Sequence, residues 1–573
     1  RGATGARVAS RARTDFDHLR QSVVRIQAVS LSFDWLHPFI PGQDQVGLGS
    51  GFVVQSKPYP LFVTNAHVIN DAKQVTLQLL LFGEKHWDAE VVSACGKFDL
   101  ALLVLREPEA FTEALASHNI TLKPLPLSEQ VAAMGEDVVA LGFPLGQNAL
   151  KISKGNIAGN EAVNGNICIQ STAPISPGSS GGPLLDAGAK AVVGVNFAKS
   201  TEGENINYVI PAWRVRQVVR KHLRDQPSAV AGAWKRVNVQ VPEHELTTAE
   251  ANRALYALSS GCSAGVYIAR VGERSFFRKA RPPLPAGSFL LSVNGQTVDG
   301  FGGGLNSAYA ADRVAFYDLF FMVPDLSGDV EFVTCFHGKI TQHNVSMAWA
   351  PEYERGIRYV DEPHLAGTAR DFEMFGDISV MQMTVNVINA VLGNTGDPGP
   401  ARWLHPDFAA SPRLIVNFVR SGSYAADVLP VGSAVAKVNG REVRTLSEFR
   451  EQLMPQNGTG VWTLETDTGR LAALMFEESL AEQLSRAKAP NARYLLTPGV
   501  ALAAQRLGLA GAQEGSQLGM AKHPMLLAKA TPEPEGAGSA GAEVRAAGPL
   551  TARRVSQGGP LSTRADRGLA LGA

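Results

Sequence analysis

The sequence predicts a mainly β protein of 573 residues: two packed barrels, then two smaller α/β sheet units, then a disordered tail. Three observations predict this. Short apolar runs separated by Gly and Pro turns fill the first 210 residues, without the regular strand–helix alternation of a parallel α/β sheet. One strand–turn–strand pattern then occurs twice. Beyond residue 500 there is no Phe, Trp, Tyr or Ile.

VGLGSGFVVQ and PLFVTNAHVI read as apolar strands joined by a turn containing Pro58 and Pro60. QVTLQLLLF, DAEVVSA, DLALLVL and EDVVALGFP continue the series, and ICIQSTAPI, AVVGVNFA and NINYVIPA complete it. WRVRQVVRKHL places Val215, Val218, Val219 and Leu223 on one helical face, which predicts a helix closing the domain. These elements set a first domain at residues 19–226, preceded by a leader at 1–18, and QPSAVAGA reads as a linker.

The first copy of the repeated pattern runs from GVYIARV through GERSFFRKA to PAGSFLLSVNGQTVDGF. The second runs from LIVNFV through RSGSYAADV to PVGSAVAKVNGREVRTLSEF. Asn294-Gly295 and Asn439-Gly440 suit tight turns with positive φ. The units are placed at 232–350, closed by the hairpin DVEFVTCFHGKITQHNVSMAW, and at 371–490. Residues 500–573 are rich in Ala, Gly and Pro and cannot bury enough apolar surface to offset their ordering entropy.

Three segments of the first domain carry chemistry: FVTNAHVI around His67, KFDLALLVL around Asp99 and ISPGSSGGPLL around Ser180. A serine hydroxyl is a poor nucleophile at neutral pH until a positioned base takes its proton, and a buried carboxylate orients that base. GSSGG alone also fits the G-x-S-x-G elbow of an α/β-hydrolase, but that fold needs the order Ser, acid, His. Here His comes first and Ser last, with spacing that lets His67 and Asp99 come from one barrel and Ser180 from a second. Ser180 is the expected nucleophile, His67 the base and Asp99 its orienter. The backbone N–H groups of Gly178 and Ser180 are the expected oxyanion hole. Ser179 is read as a loop hydroxyl, because only Ser180 has Gly-x before it and Gly-Gly after it.

TNAHV, DLALL, GFPLG and PGSSGGPL, followed by GVNFA and NINYVIP, resemble the protease domain of the HtrA/Deg family across about residues 20–225. The resemblance implies a trypsin-like double β-barrel. It makes the two repeats PDZ-like domains, with FEMFGDISVMQMTVNVINAVL resembling the entry to the second such domain of plant-type members. Two departures adjoin the nucleophile: Thr172, Ala173 and Pro174 stand where the family usually has Asp-Ala-Ala, and Ser179 where it usually has Asn. The implied activity is ATP-independent cleavage of unfolded or damaged polypeptides, by homotrimers or multiples of them.

The same alignment places Pro174 where a trypsin-type pocket would need a carboxylate, with Val195, Asn196, Phe197, Ala198 and Tyr208 as walls. A small to medium aliphatic P1 residue is expected, although Phe197 and Tyr208 are equally explained as core aromatics. PDZ domains bind C-terminal peptides by adding a strand to a sheet edge. The carboxylate loops are expected before Val266, where Gly261 to Gly265 serves, and before Leu414, where glycines are lacking, so C-terminal peptides are expected at the first repeat and a structural or subunit-docking role for the second.

Lys plus Arg and Asp plus Glu are both 53, which gives no charge reason to expect nucleic acid. No cofactor or metal motif and no stretch of about 18 apolar residues occurs. Cys95, Cys168, Cys262 and Cys335 are widely spaced, and four free buried thiols are expected. RGATGARVASRART has the composition of a chloroplast or mitochondrial transit-peptide remnant and equally of a disordered leader. A non-proteolytic chaperone or PDZ scaffold with a latent protease domain is the competing functional reading. The intact triad favours the protease.

Overall fold

The computed structural model describes residues 17–40, 42–163, 165–199, 206–225, 237–259, 261–360, 370–456, 458, 460–488 and 496–509. The expected linker, most of the leader and nearly all of the tail lie outside these residues.

The first barrel comprises β1 (Val23–Leu31), β2 (Asp44–Gln55), β3 (Leu61–Thr64), β4 (Ala72–Gln78), β5 (His86–Cys95) and β6 (Leu100–Leu105). Its strand order is β5-β4-β1-β2-β3-β6, and β5–β6 pairing closes it. The second barrel, also closed, comprises β7 (Asp137–Gly142), β8 (Lys151–Val163), β9 (Asn166–Ser171), β10 (Pro183–Asp186), β11 (Val192–Lys199) and β12 (Asn207–Pro211). Val24, Ile26, Phe62 and Leu103 fill the first interior, and Val138, Ile157, Leu184 and Val209 the second. A third cluster, with Phe52, Leu102, Leu141 and Val195, lies between the barrels. Every residue of β6 is buried, since one face lines its barrel and the other this third cluster. That is why LALLVL lacks the alternation of a half-exposed strand.

Helix α1 (Pro108–Ser117) flanks the first barrel, and α2 (Ala212–Asp225) follows the second. Val215 and Val218 are buried on α2 as expected, but Leu223 is 42% exposed while Trp213, Arg214, Gln217 and His222 are buried. The expectation of one apolar face fails because α2 is covered on two sides. Arg214 and Gln217 donate to the Phe321 carbonyl of the following sheet unit at 3.1 and 2.8 Å, so these polar side chains are buried with partners.

The next unit orders Leu246–Ala249, Val266–Val271, Phe289–Val293, Asp329–Phe336 and Lys339–Ser346 in one antiparallel sheet, with the short helix Phe316–Phe321. The last orders Phe372–Phe375, Ile378–Gln382, Leu414–Val419, Ala434–Val438, Val461–Thr466 and Leu471–Met475. Asn294, Gly295, Asn439 and Gly440 all have positive φ, as their tight turns require.

Three expectations need correction here. Cys262 and Cys335 form a disulfide with Cα atoms 5.8 Å apart, leaving Cys95 and Cys168 as buried thiols. Sequence spacing hides the pair because the sheet brings the turn before Val266 next to the strand bearing Cys335. The strand Val266–Val271 is paired on both sides, so it offers no edge to a peptide; Leu414–Val419, where no peptide site was expected, is likewise paired on both sides. Among the described residues, the terminal strands on those sides are Leu246–Ala249 and Phe372–Phe375. Finally, the helix Pro498–Arg506 crosses the expected start of the tail and buries Val500, Ala503 and Ala504 against the last unit.

Candidate active site

His67 opens a short 3-10 turn directly after β3, and Asp99 closes the β5–β6 turn. Antiparallel pairing of β3 with β6 brings the two turns together at one end of the first barrel. Asp99 accepts from the His67 backbone N–H through Oδ1 at 2.8 Å, and its Oδ2 lies 2.7 Å from His67 Nδ1. A carboxylate on Nδ1 fixes the tautomer in which Nε2 is the basic nitrogen. Asp99 is held in turn by its carbonyl, which accepts from Asn65 Nδ2 at 3.0 Å and the Ala66 amide at 3.2 Å. Its own φ is +52°, in the left-handed region.

The loop that carries Ser180, the expected nucleophile, joins β9 to β10. Ser180 is partly buried, with Oγ donating to the Phe197 carbonyl on β11 at 3.4 Å. Ser179 is buried and its hydroxyl accepts from the Ser176 amide at 3.4 Å, which turns it into the loop. The Pro177 carbonyl accepts from the Leu145 amide at 2.6 Å, and the Ser179 carbonyl from the Gly182 amide at 3.0 Å. In a trans peptide the N–H opposes the carbonyl. The Gly178 and Ser180 N–H groups therefore point away from the anchors of the preceding carbonyls. Gly178 has φ +93°. At Gly181, with φ +84°, a Cβ would come within 2.1 Å of the Ser50 carbonyl.

Ser50 is the residue the sequence reading missed. It is fully buried on β2 of the first barrel, and its Oγ donates to the Gly178 carbonyl at 2.7 Å while accepting from the Phe143 amide at 3.0 Å. Its backbone N–H donates to the Ser180 carbonyl at 2.8 Å, and its own carbonyl accepts from Thr64 Oγ1. One small side chain thus fastens the nucleophile loop of one barrel to the wall of the other. Its only sequence signal is a serine between two glycines in GSGF.

The expected pocket residues divide. Pro174 is exposed, with its carbonyl accepting from Ser153 Oγ at 2.6 Å, while Phe197 and Tyr208 are half-buried with ring centroids 6.4 Å apart. Val195 is fully buried in the cluster between the barrels. Asn196 is buried too, and its amide donates to the Gly182 and Pro183 carbonyls, so it braces the nucleophile loop. Ala198 pairs with Tyr208 on β12, and its side chain lies outside the described atoms. Among the described residues, no group of three or more His, Cys, Asp or Glu side chains has metal-binding geometry. No helix there is long and apolar enough to cross a membrane.

Residues 49–195 match the family model of the trypsin-like peptidase domain. Protease Do-like 4, mitochondrial, of Arabidopsis thaliana is 32% identical over 205 residues, which is 35% of this chain and 36% of that protein. Serine protease Do-like HtrA of Bacillus subtilis (strain 168) is 27% identical over 272 residues, 44% of this chain and 55% of that one. The chain therefore spans about a third to a half of these relatives' lengths. A solved structure described as HtrA-type protease AlgW with decapeptide aligns over 59% of this chain and 98% of its own, at 18% identity and a TM-score of 0.41. Residues 49–195 thus carry a trypsin-like peptidase domain, and over this region the chain is similar to proteases named Do-like and HtrA.

Proposed function

We propose that this chain is an ATP-independent serine endopeptidase that cleaves unfolded or damaged proteins after small to medium aliphatic residues. The observation carrying this reading is the double contact of Asp99 with His67, with Gly181 of the Ser180 loop packed against Thr64 and Asn65 just before His67. Ser180 Oγ attacks the scissile carbonyl while His67 Nε2 takes its proton and returns it to the leaving amine. Asp99 stabilises the imidazolium, and the two amides receive the oxyanion. The two sheet units act as PDZ-like domains in this reading. The terminal strand Leu246–Ala249 is the edge to which a C-terminal peptide adds. Assembly as a trimer or a multiple of trimers follows the family, and the mitochondrial relative supports an organellar location.

The second reading, a chaperone or scaffold with a latent protease domain, draws on the Ser180 hydroxyl's bond to Phe197. Cleavage of an unfolded model protein by wild type and by Ser180→Ala separates the two. Activity and fluorophosphonate labelling of Ser180 in the wild type, both lost in the variant, are expected; equal residual cleavage by the two proteins sinks the protease reading. Asp99→Asn is expected to lower kcat by about 10⁴ with substrate binding retained.

A further inference from the structure

Phe98, next to Asp99, is buried beneath groups supplied by two other parts of the chain. The Arg214 guanidinium from α2 lies over the Phe98 ring with Cζ 4.1 Å from its centroid. The Phe321 ring from the unit after α2 meets it edge-on, with centroids 6.4 Å apart. Arg214 is completely enclosed. Its NH1 donates to the Phe321 carbonyl, its plane also covers Trp213 at 4.1 Å, and Asp318 Oδ1 lies 3.8 Å from NH2. The Ile167 amide of β9 donates to the Asp318 carboxylate. A buried charge pair is poor evidence for stability, since apolar replacements of similar volume often do as well. Its placement is more informative. A left-handed φ at a residue other than Gly persists where its surroundings over-determine it. Asp99 has such a φ, and its turn is held at each residue: Lys97 by Asn166, Phe98 by Arg214 and Phe321, and Asp99 by Asn65 and Ala66.

We propose that Arg214, held in place by Asp318 of the neighbouring sheet unit, is a positioning residue for the Asp99–His67 couple, acting through Phe98. The proposal rests on the protease reading above. It makes the helix Phe316–Phe321 part of the apparatus that keeps the orienting carboxylate aligned, so the unit after α2 contributes to catalysis without touching substrate. Burial pushes the Asp318 carboxyl up to about 6, against the pull of Arg214 on α2, the Ile167 amide and Lys97 before Asp99. The Cys168 thiol on β9 and the Tyr317 phenol also sense this carboxyl. Asp318 is therefore ionised at neutral pH and loses its charge on mild acidification.

The test uses the full chain with Asp318→Asn and Arg214→Lys. Each is expected to lower kcat on a peptide substrate about tenfold at pH 7.5 with KM within about twofold, far short of the loss caused by removing the orienting carboxylate itself. Lysine keeps the charge without the flat guanidinium and is expected not to rescue. The wild type to Asp318→Asn ratio in Ser180 labelling rate is expected to fall towards one near pH 5, where Asp318 is protonated in the wild type. The low-field proton resonance of the His67–Asp99 hydrogen bond is expected in the wild type and weakened in both variants. Variants that lose melting temperature yet keep kcat and the resonance would show a structural pair only and overturn the proposal. A wild type that neither cleaves nor labels sinks the protease reading, and the resonance comparison still decides the positioning role.

Discussion

Ser50, His222 and the three proposed catalytic residues differ in how they are visible. His67, Asp99 and Ser180 each sit in a local motif, because backbone turns must place each group and short segments encode those turns. Ser50 acts only across the gap between barrels, so nothing near it in sequence marks its role. Ser50→Ala leaves the Phe143 amide without its acceptor and the Gly178 carbonyl without its donor. We expect a loss of about 1–3 kcal/mol in denaturant unfolding, together with a kcat about tenfold lower as the oxyanion loop loosens. His222 is enclosed on α2, and among the described residues neither ring nitrogen has a hydrogen-bond partner. Burial lowers its pKa to about 4, below its ordinary 6.5. The unfolded chain therefore binds the extra proton first, and this contribution is complete above pH 6.5 and lost as pH falls towards 4. It amounts to roughly 3 kcal/mol. Asp318 has the opposite sign. Its folded pKa lies above the usual 3.8, so its contribution falls as pH rises from about 4 to 6. Unfolding of His222→Leu across pH 4–7 should show a flatter acid-side slope than the wild type; an unchanged slope would refute this.

Most strands with strongly apolar sequences were legible as elements, but β1 and the short β10 were not read, and neither was the polar β8. β8 is a 13-residue strand in which only Ile157 is buried, and KISKGNIAGNEAV carries no alternation to reveal it. β6 was legible for the opposite reason, as a run buried on both faces. The two Asn-Gly turns were read correctly because their chemistry is local. The Cys262–Cys335 disulfide was not, since its partners are 73 residues apart and meet only through sheet pairing. Cys262→Ser with Cys335→Ser is expected to cost about 2–4 kcal/mol. That loss should appear as a lower melting temperature of the unit after α2, reproduced in the wild type by a reductant.

At the scale of the whole molecule, the domains are joined by contacts the sequence does not advertise. The connection between β1 and β2 carries Phe33, Trp35, Leu36 and Phe39, which pack against the last sheet unit. Asn417 Nδ2 donates to the Trp35 carbonyl at 2.9 Å, and Phe39 meets Phe418 at 5.0 Å between centroids. Arg370 pairs with Asp71, just beyond the His67 turn. Phe39→Ala with Asn417→Ala is expected to free the last unit from the barrels while leaving each folded. Small-angle scattering should then report a larger radius of gyration, and an unchanged radius would refute the expectation.

The sequence by itself determined most of the barrels' strands, though not β1, β8 or β10, together with the order His67, Asp99, Ser180 and the repeated pattern, because strand periodicity, turn chemistry and motifs are written in short segments. Only the tertiary structure decided which strands end their sheets among the described residues, which cysteines pair, and that Ser50 and Asn196 brace the loop around Ser180. It also decided that α2 is buried on two sides, with Arg214 over Phe98. These depend on residues far apart in sequence meeting at particular distances and angles, and packing between closed barrels and added sheets fixes those distances.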